Sequence, residues 1–160
     1  MTFMESKTKK LQIATFGGGC FWGVEEAFRT TKGVKSTEVG YMGGSMRKPT
    51  YEDVCTDKTG HAEVVQVTFD TNEISYDELL EIFWEVHDPT QLNRQGPDVG
   101  TQYRSVIFFH NKEQEKIAKK SKELLSKKKN IVTEIVPASE FYKAEEYHQK
   151  YLMKRGENVC

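Results

Sequence analysis

The run Leu11-Gln12-Ile13-Ala14-Thr15-Phe16-Gly17-Gly18-Gly19-Cys20-Phe21-Trp22-Gly23-Val24-Glu25-Glu26-Ala27-Phe28-Arg29 holds two periodicities joined by glycine. Leu11 to Phe16 reads as a strand, and the three glycines after it as a tight turn. From Cys20 to about Thr30 the apolar residues Phe21, Val24, Ala27 and Phe28 recur at helical spacing, with a stop near Gly33. A strand feeding a helix through so short a turn is a building unit of mixed α/β domains.

The same run carries the strongest chemical signal. Cys20 falls on the first turn of the helix, where the positive end of the helix dipole favours a thiolate. A rotation of about 100° per residue sets Cys20 at the edge of the apolar stripe and Trp22 on the side shared with Glu26 and Arg29. Taken alone, such a cysteine reads equally well as a small packed thiol. An off-stripe tryptophan two residues away argues for a site. A nucleotide-binding turn is excluded: G-x-G-x-x-G would need glycine at Trp22, and the Gly-Lys-Ser/Thr of a phosphate loop is absent.

Outward from this unit the periods continue. Val34 to Tyr41 is predicted as a strand and Gly43 to Gly60, rich in Gly, Pro, Thr and charge, as a long functional loop. His61 to Asp70 is a strand. Ser75 and Glu78 have the form of a capping box, and Tyr76, Leu79, Leu80, Phe83 and His87 run at helical spacing until Asp88-Pro89. A polar loop over Pro89 to Thr101, a strand over Tyr103 to His110, a lysine-rich helix from Asn111 to about Lys128 and a strand over Ile131 to Val136 follow. Lys143 to Lys154 is expected as a closing helix, and residues 155–160 as a mobile tail. This order predicts an α/β (α+β) fold: one domain over 1–160, a two-layer sandwich with a ferredoxin-like split βαβ core, a mostly antiparallel sheet and flanking helices.

Composition narrows the partners. At 160 residues roughly two-thirds of the unfolded surface is buried on folding, enough for one core. The 23 basic and 24 acidic residues nearly cancel, so no field draws the chain to nucleic acid or to an anionic membrane. The polar start MTFMESKTKK and the lack of any run near the ~20 apolar residues of a membrane span predict a cytoplasmic protein. Cys20, Cys55 and Cys160 form no C-x-x-C pair, and the four histidines are scattered, so no metal is expected. Lys112 to Lys129, interspersed with Glu113, Glu115 and Glu123, reads as a solvated helix face.

Further candidates lie along the chain. By two-residue alternation Glu63 shares the face of Val65, Val67 and Phe69, where burial would raise its pKa and make it a proton donor near neutral pH. The alternative, which pattern alone favours, is that Glu63 reaches water at the strand's end. Tyr51 and Tyr103 flank loops and are read as hydroxyl donors or as ordinary amphipathic fillers. Asp98, in the turn-like Gln95-Gly96-Pro97-Asp98-Val99-Gly100, has a backbone-bonding alternative. His61 and His148 are ambiguous.

With these residues in view, the chain resembles the peptide methionine sulfoxide reductases of the A class. The resemblance rests on Gly19-Cys20-Phe21-Trp22-Gly23, Thr50-Tyr51-Glu52-Asp53-Val54-Cys55, Thr59-Gly60-His61-Ala62-Glu63-Val64-Val65, His87-Asp88-Pro89-Thr90, Asp98-Val99-Gly100-Thr101-Gln102-Tyr103-Arg104-Ser105 and Glu146-Tyr147-His148-Gln149-Lys150-Tyr151. It implies that Cys20 is the nucleophile and Glu63 the buried acid. Tyr51 and Tyr103 would hold the sulfoxide oxygen, Asp98 would support the pocket, and Phe21 and Trp22 would receive the substrate methyl. The implied activity is reduction of methionine-S-sulfoxide, free or in proteins, through a Cys20 sulfenic acid and then a disulfide. No cofactor is implied beyond thioredoxin or another dithiol as electron donor. Cys160 is the implied resolving thiol, although the glycine-flanked cysteine common in that tail is replaced by Asn158-Val159-Cys160, and Cys55 is implied to be a packing residue. Two other classes compete: a cysteine hydrolase or acyltransferase using His61 or His148 as base, and a non-catalytic module binding exposed side chains through Phe21 and Trp22.

Overall fold

The computed structural model describes residues 10–155. In chain order it runs β1 (Leu11–Gly17), α1 (Phe21–Arg29), β2 (Val34–Met42), α2 (Tyr51–Cys55), β3 (Ala62–Asp70), α3 (Tyr76–Val86), β4 (Arg94–Gln95), β5 (Asp98–Val99), a 3-10 turn (Thr101–Tyr103), β6 (Val106–Phe109), α4 (Lys112–Ser126), β7 (Glu134–Pro137), β8 (Tyr142–Lys143), a second 3-10 turn (Glu146–His148) and α5 (Tyr151–Arg155). Six strands make one sheet in the order β7-β6-β1-β3-β2-β8, and β4 and β5 form a separate hairpin. Every pairing is antiparallel except that of β6 with β7. The result is a mixed α/β domain with a mostly antiparallel sheet and flanking helices.

Alternation along β3 decides which residues meet the helices. Val65, Val67 and Phe69 point into the main core with Phe16, Phe28, Leu79, Leu80 and Phe83. At its centre the Phe16 ring stacks on Phe28 and Phe83, each at 5.1 Å, and on Tyr76 at 6.0 Å. The opposite face is also covered: Met42, Ala62, Val64, Val106 and Phe108 pack against Val136 of β7 and against Ala138 and Phe141 between β7 and β8.

Four local expectations are corrected. The loop over Gly43–Gly60 contains α2, started by a reciprocal capping box between Thr50 and Asp53; the Thr-x-x-Asp signal was hidden among glycines and charges. The Pro89–Thr101 loop holds the β4/β5 hairpin. Tyr103 lies in a 3-10 turn, and the strand after it begins at Val106. The closing helix is broken into β8, a 3-10 turn and α5, because Lys150 adopts a left-handed φ of 53° and its N–H is taken by the Glu25 carboxylate at 2.7 Å.

Phe16→Ala opens a cavity at the meeting point of three rings and is expected to cost about 3–5 kcal/mol, measured as a lower urea midpoint with an unchanged slope.

Candidate active site

The glycine turn is shaped by what it approaches. Gly19 has φ 91°, and a Cβ there would lie 2.8 Å from Gln95 Cγ, while one on Gly18 would lie 2.9 Å from His87 Cγ. A side chain is opposed by both space and backbone at Gly19, and by space at Gly18. The turn delivers Cys20 as the N-cap residue of α1 with extended backbone, φ −61° and ψ 126°, and the cap has no side-chain hydrogen bond. Cys20 is partly exposed.

The next residue ties this helix start to the sheet. The Phe21 N–H donates to Glu63 Oε1 at 3.3 Å, and Glu63 Oε2 is buried with no hydrogen-bond partner. Glu63 is 1% exposed, so the sequence alternative in which it reaches water is overturned. The strand does not end in solvent: Glu63 is paired across from Tyr41 in β2. Burial pushes the Glu63 pKa up to about 8; the Phe21 N–H opposes the shift and the charge of Asp98 adds to it. At neutral pH this group is mainly a carboxylic acid.

Tyr51, on α2, and Tyr103, in the 3-10 turn, are half-buried and both lie within reach of the Glu63 charge. Burial first and the charge of Glu63 second raise both hydroxyls, Tyr103 to about 12. Both therefore remain hydrogen-bond donors at neutral pH. Asp98 sits on β5, where its charge raises both Glu63 and Tyr103. The Phe21 ring lies 6.4 Å from Tyr51, 5.8 Å from Tyr41 and 5.2 Å from His148. Trp22 stacks on Tyr151 at 3.8 Å, and its Nε1–H donates to His148 Nδ1 at 3.0 Å. The aromatic that α1 had no need to bury is covered by the C-terminal elements.

His148, ambiguous in the sequence, joins the site, and Glu145, Gln149 and Glu25 around it carried no assigned role. His148 is fully buried beside Phe21, Trp22 and Tyr51, with Nε2 lacking a hydrogen-bond partner. Glu145 accepts the Tyr51 N–H at 3.0 Å and the Tyr41 hydroxyl at 3.1 Å. Burial works against its charge, but these donors together with its own N–H hold its carboxyl below the usual range. Gln149 brackets Val39, accepting its N–H and donating to its carbonyl, both at 2.9 Å. Glu25, 1% exposed, accepts the Thr37 hydroxyl at 2.8 Å besides the Lys150 N–H. A carboxylate on the buried stripe with Phe21, Val24 and Phe28 was the available signal. His61 does not join the site: it accepts the Gly44 N–H at 3.0 Å and donates to the Met46 carbonyl at 2.6 Å. Cys55, expected as a packing residue, is exposed, because only Val54 of α2 is buried; its thiol hydrogen-bonds with the Tyr51 hydroxyl. Cys160 lies outside the described residues. Among those residues no cluster of three His, Cys, Asp or Glu is arranged for a metal, and no helix is long and apolar enough to cross a membrane.

A cysteine at a helix start, a carboxyl kept protonated by burial at the same helix N-terminus and two half-buried tyrosines near that carboxyl are the parts that acid-assisted cysteine chemistry requires. Comparison with known proteins gives the family. The profile of the peptide methionine sulfoxide reductases matches residues 12–160. The peptide methionine sulfoxide reductase MsrA of Methanosarcina acetivorans is 62% identical, over 95% of this chain and 83% of that protein. The MsrA of Methanothermobacter thermautotrophicus is 61% identical over 94% and 92%. Among solved structures, reduced Mxr1 from Saccharomyces cerevisiae has a TM-score of 0.89 at 40% identity, covering 94% of this chain and 89% of that one. Mxr1 has also been solved in complex with Trx2, with a TM-score of 0.64 at 29% identity over 89% and 85%. The chain belongs to the peptide methionine sulfoxide reductase family, and it is an enzyme that reduces methionine sulfoxide.

Because the folded pKa of Glu63 is raised above its unfolded value of 4.5, the folded state holds a proton that the unfolded chain releases. The stability conferred by that proton is full below about 4.5 and is lost as pH rises to about 8. Glu63→Gln is therefore expected to gain on the wild type across this window, by on the order of a few kcal/mol at pH 9, read as the difference between their unfolding free energies at pH 5 and pH 9.

Proposed function

We propose that this chain reduces the S epimer of methionine sulfoxide, free and in proteins, with Cys20 as nucleophile and Glu63 as the proton donor. The observation that carries the reading is the buried, protonated Glu63 beside the N-terminus of α1, one of its oxygens bound to Phe21 N–H and the other unpartnered. A sulfoxide is a poor electrophile until its oxygen is protonated or strongly hydrogen-bonded. In this reading the Glu63 proton and the Tyr51 and Tyr103 hydroxyls meet that oxygen while Cys20 sulfur attacks the substrate sulfur. Asp98 supports the pocket by its charge. Phe21 and Trp22, backed by His148 and Tyr151, form the wall for the substrate methyl.

The adduct then collapses: methionine leaves with the electron pair, and the oxygen stays on Cys20 as a sulfenic acid. Cys160 condenses with it, forming a disulfide and releasing water, and a thioredoxin-type dithiol returns two electrons to restore both thiols. The Mxr1 complex with Trx2 supports that donor. No cofactor is needed in this scheme. Residues 1–160 act as one catalytic domain in the cytoplasm; the tail expected at 155–160 lies, beyond Arg155, outside the described residues. The strand order β6-β1-β3-β2, antiparallel throughout, supports reading the core as a ferredoxin-like split βαβ. A cysteine hydrolase is disfavoured because both nitrogens of His61 are already spent and His148, whose Nδ1 accepts the Trp22 N–H, carries its proton on Nε2 and has no lone pair left to act as base.

The test follows separated epimers of a blocked methionine sulfoxide with dithiothreitol. Consumption of the S epimer alone, abolished in Cys20→Ser, is expected; turnover by Cys20→Ser would overturn the reading. Single-turnover rates of the wild type should fall above about pH 8 as Glu63 ionises. Glu63→Gln should be slower by roughly 10²–10³ at pH 7 and lack that alkaline limb. Cys160→Ser should lose thioredoxin-driven turnover and keep the first sulfenic acid, detected by dimedone labelling.

A further inference from the structure

Beneath the Cys20 turn lies a hydrogen-bonded chain that the reduction chemistry leaves unused. His87, just past α3, donates Nδ1–H to the Phe83 carbonyl at 2.7 Å, so its Nε2 accepts the Ser105 hydroxyl, also at 2.7 Å. With that proton spent, Ser105 Oγ accepts from Thr133 Oγ1 at 2.6 Å, and the Thr133 carbonyl accepts from Lys122 Nζ at 2.7 Å. The Phe83 carbonyl at one end thus sets the direction of the His87, Ser105 and Thr133 donors, while the Lys122 ammonium can only donate. The imidazole packs on the Phe83 ring at 4.2 Å, and Gly18 rests so close to it that a Cβ would reach 2.9 Å from His87 Cγ. Beside it, Gln95 contacts Gly19 and brackets the Asp88 backbone, accepting its N–H at 2.8 Å and donating to its carbonyl at 2.6 Å.

We propose that His87 is a positioning residue of the nucleophile. Its neutral ring, with Gln95 alongside, is the floor that sets the height of the Gly17–Gly19 turn and so the aim of the Cys20 sulfur. This rests on Cys20 being the nucleophile. The groups facing the ring are the Ser105 and Thr133 hydroxyls, the Phe83 and Trp84 rings, the exposed Asp88 carboxylate next in the chain, and Lys122 at the far end. Burial keeps the imidazole neutral down to about pH 4 against the Phe83 carbonyl and the Asp88 charge. A second proton on Nε2 would face the Ser105 O–H and reverse the donors up to Thr133. Protonation should therefore disturb the turn that carries Cys20 without touching the substrate pocket.

The experiment is single-turnover reduction of blocked methionine-S-sulfoxide by the reduced full-length enzyme, in brief pH-jump assays from pH 3.5 to 8. Ser105→Ala keeps the ring but removes its donor. Its rate at pH 7 is expected to fall about tenfold, in line with the sensitivity of reaction rates to small misplacements, with half-saturation within about twofold of the wild type. Its acid limb should stay near 4, because the burial that keeps the ring neutral is unchanged. His87→Phe, which fills the space but does not titrate, should be slow at all pH values with no such limb. Wild-type rates in Ser105→Ala would overturn the proposal, as would a rate loss matched by rising half-saturation or an acid limb that persists in His87→Phe. Should His87→Phe fail to fold, the Ser105→Ala profile decides alone. Activity retained by Cys20→Ser would instead defeat the underlying reading of the nucleophile.

Discussion

A carboxyl group taken out of water is the constraint on which this site depends. Desolvation costs an ionised carboxylate far more than a neutral acid, so Glu63, at 1% exposure, answers burial by keeping its proton. That burial is produced by the sheet: β3 lies between β1 and β2, and the same alternation that turns Val65, Val67 and Phe69 inward turns Glu63 inward at the end facing α1. The fold gives up stability at this position in the alkaline range, and Glu63 keeps its proton up to about pH 8.

The C-terminal wall of the site is held by polar groups where an apolar contact would have served packing equally well. Glu145 caps the first N–H of α2, Gln149 completes the edge of β2 at Val39, and Glu25 reaches from α1 to Lys150. Each of these bonds is directional, and an unmade partner in a dry setting is costly. Together they specify one placement for His148 and Tyr151 against Trp22, which a greasy surface would leave free to slide. The two orphaned buried atoms nearest this wall and the acid, His148 Nε2 and Glu63 Oε2, mark where the network stops and the reaction space begins. The opposite side is built in the same manner, with the imidazole of His87 and the amide of Gln95 standing under a turn made wholly of glycine.

Much of this was legible in the sequence. The hydrophobic periods of 11–29, 61–70 and 75–87 gave strand, turn and helix, because local periodicity survives whatever the partners are. The thiol at a helix start and the inward phase of Glu63 were equally local facts, as were the charge balance and the scattered cysteines. What needed tertiary structure was anything decided by a long-range polar contact. Whether Glu63 met water or a buried edge depended on Tyr41 lying opposite it in β2. The expected helix over 143–154 broke because Glu25, more than a hundred residues earlier, takes the Lys150 N–H. His148 and His61 are the same residue type with opposite fates, one walled into the site and the other spent on a loop. The sequence by itself determined the long strands and helices and the family. The fold alone decided which polar side chains are desolvated and which hydrogen bonds satisfy them, since desolvation is a property of neighbours that a linear pattern does not contain.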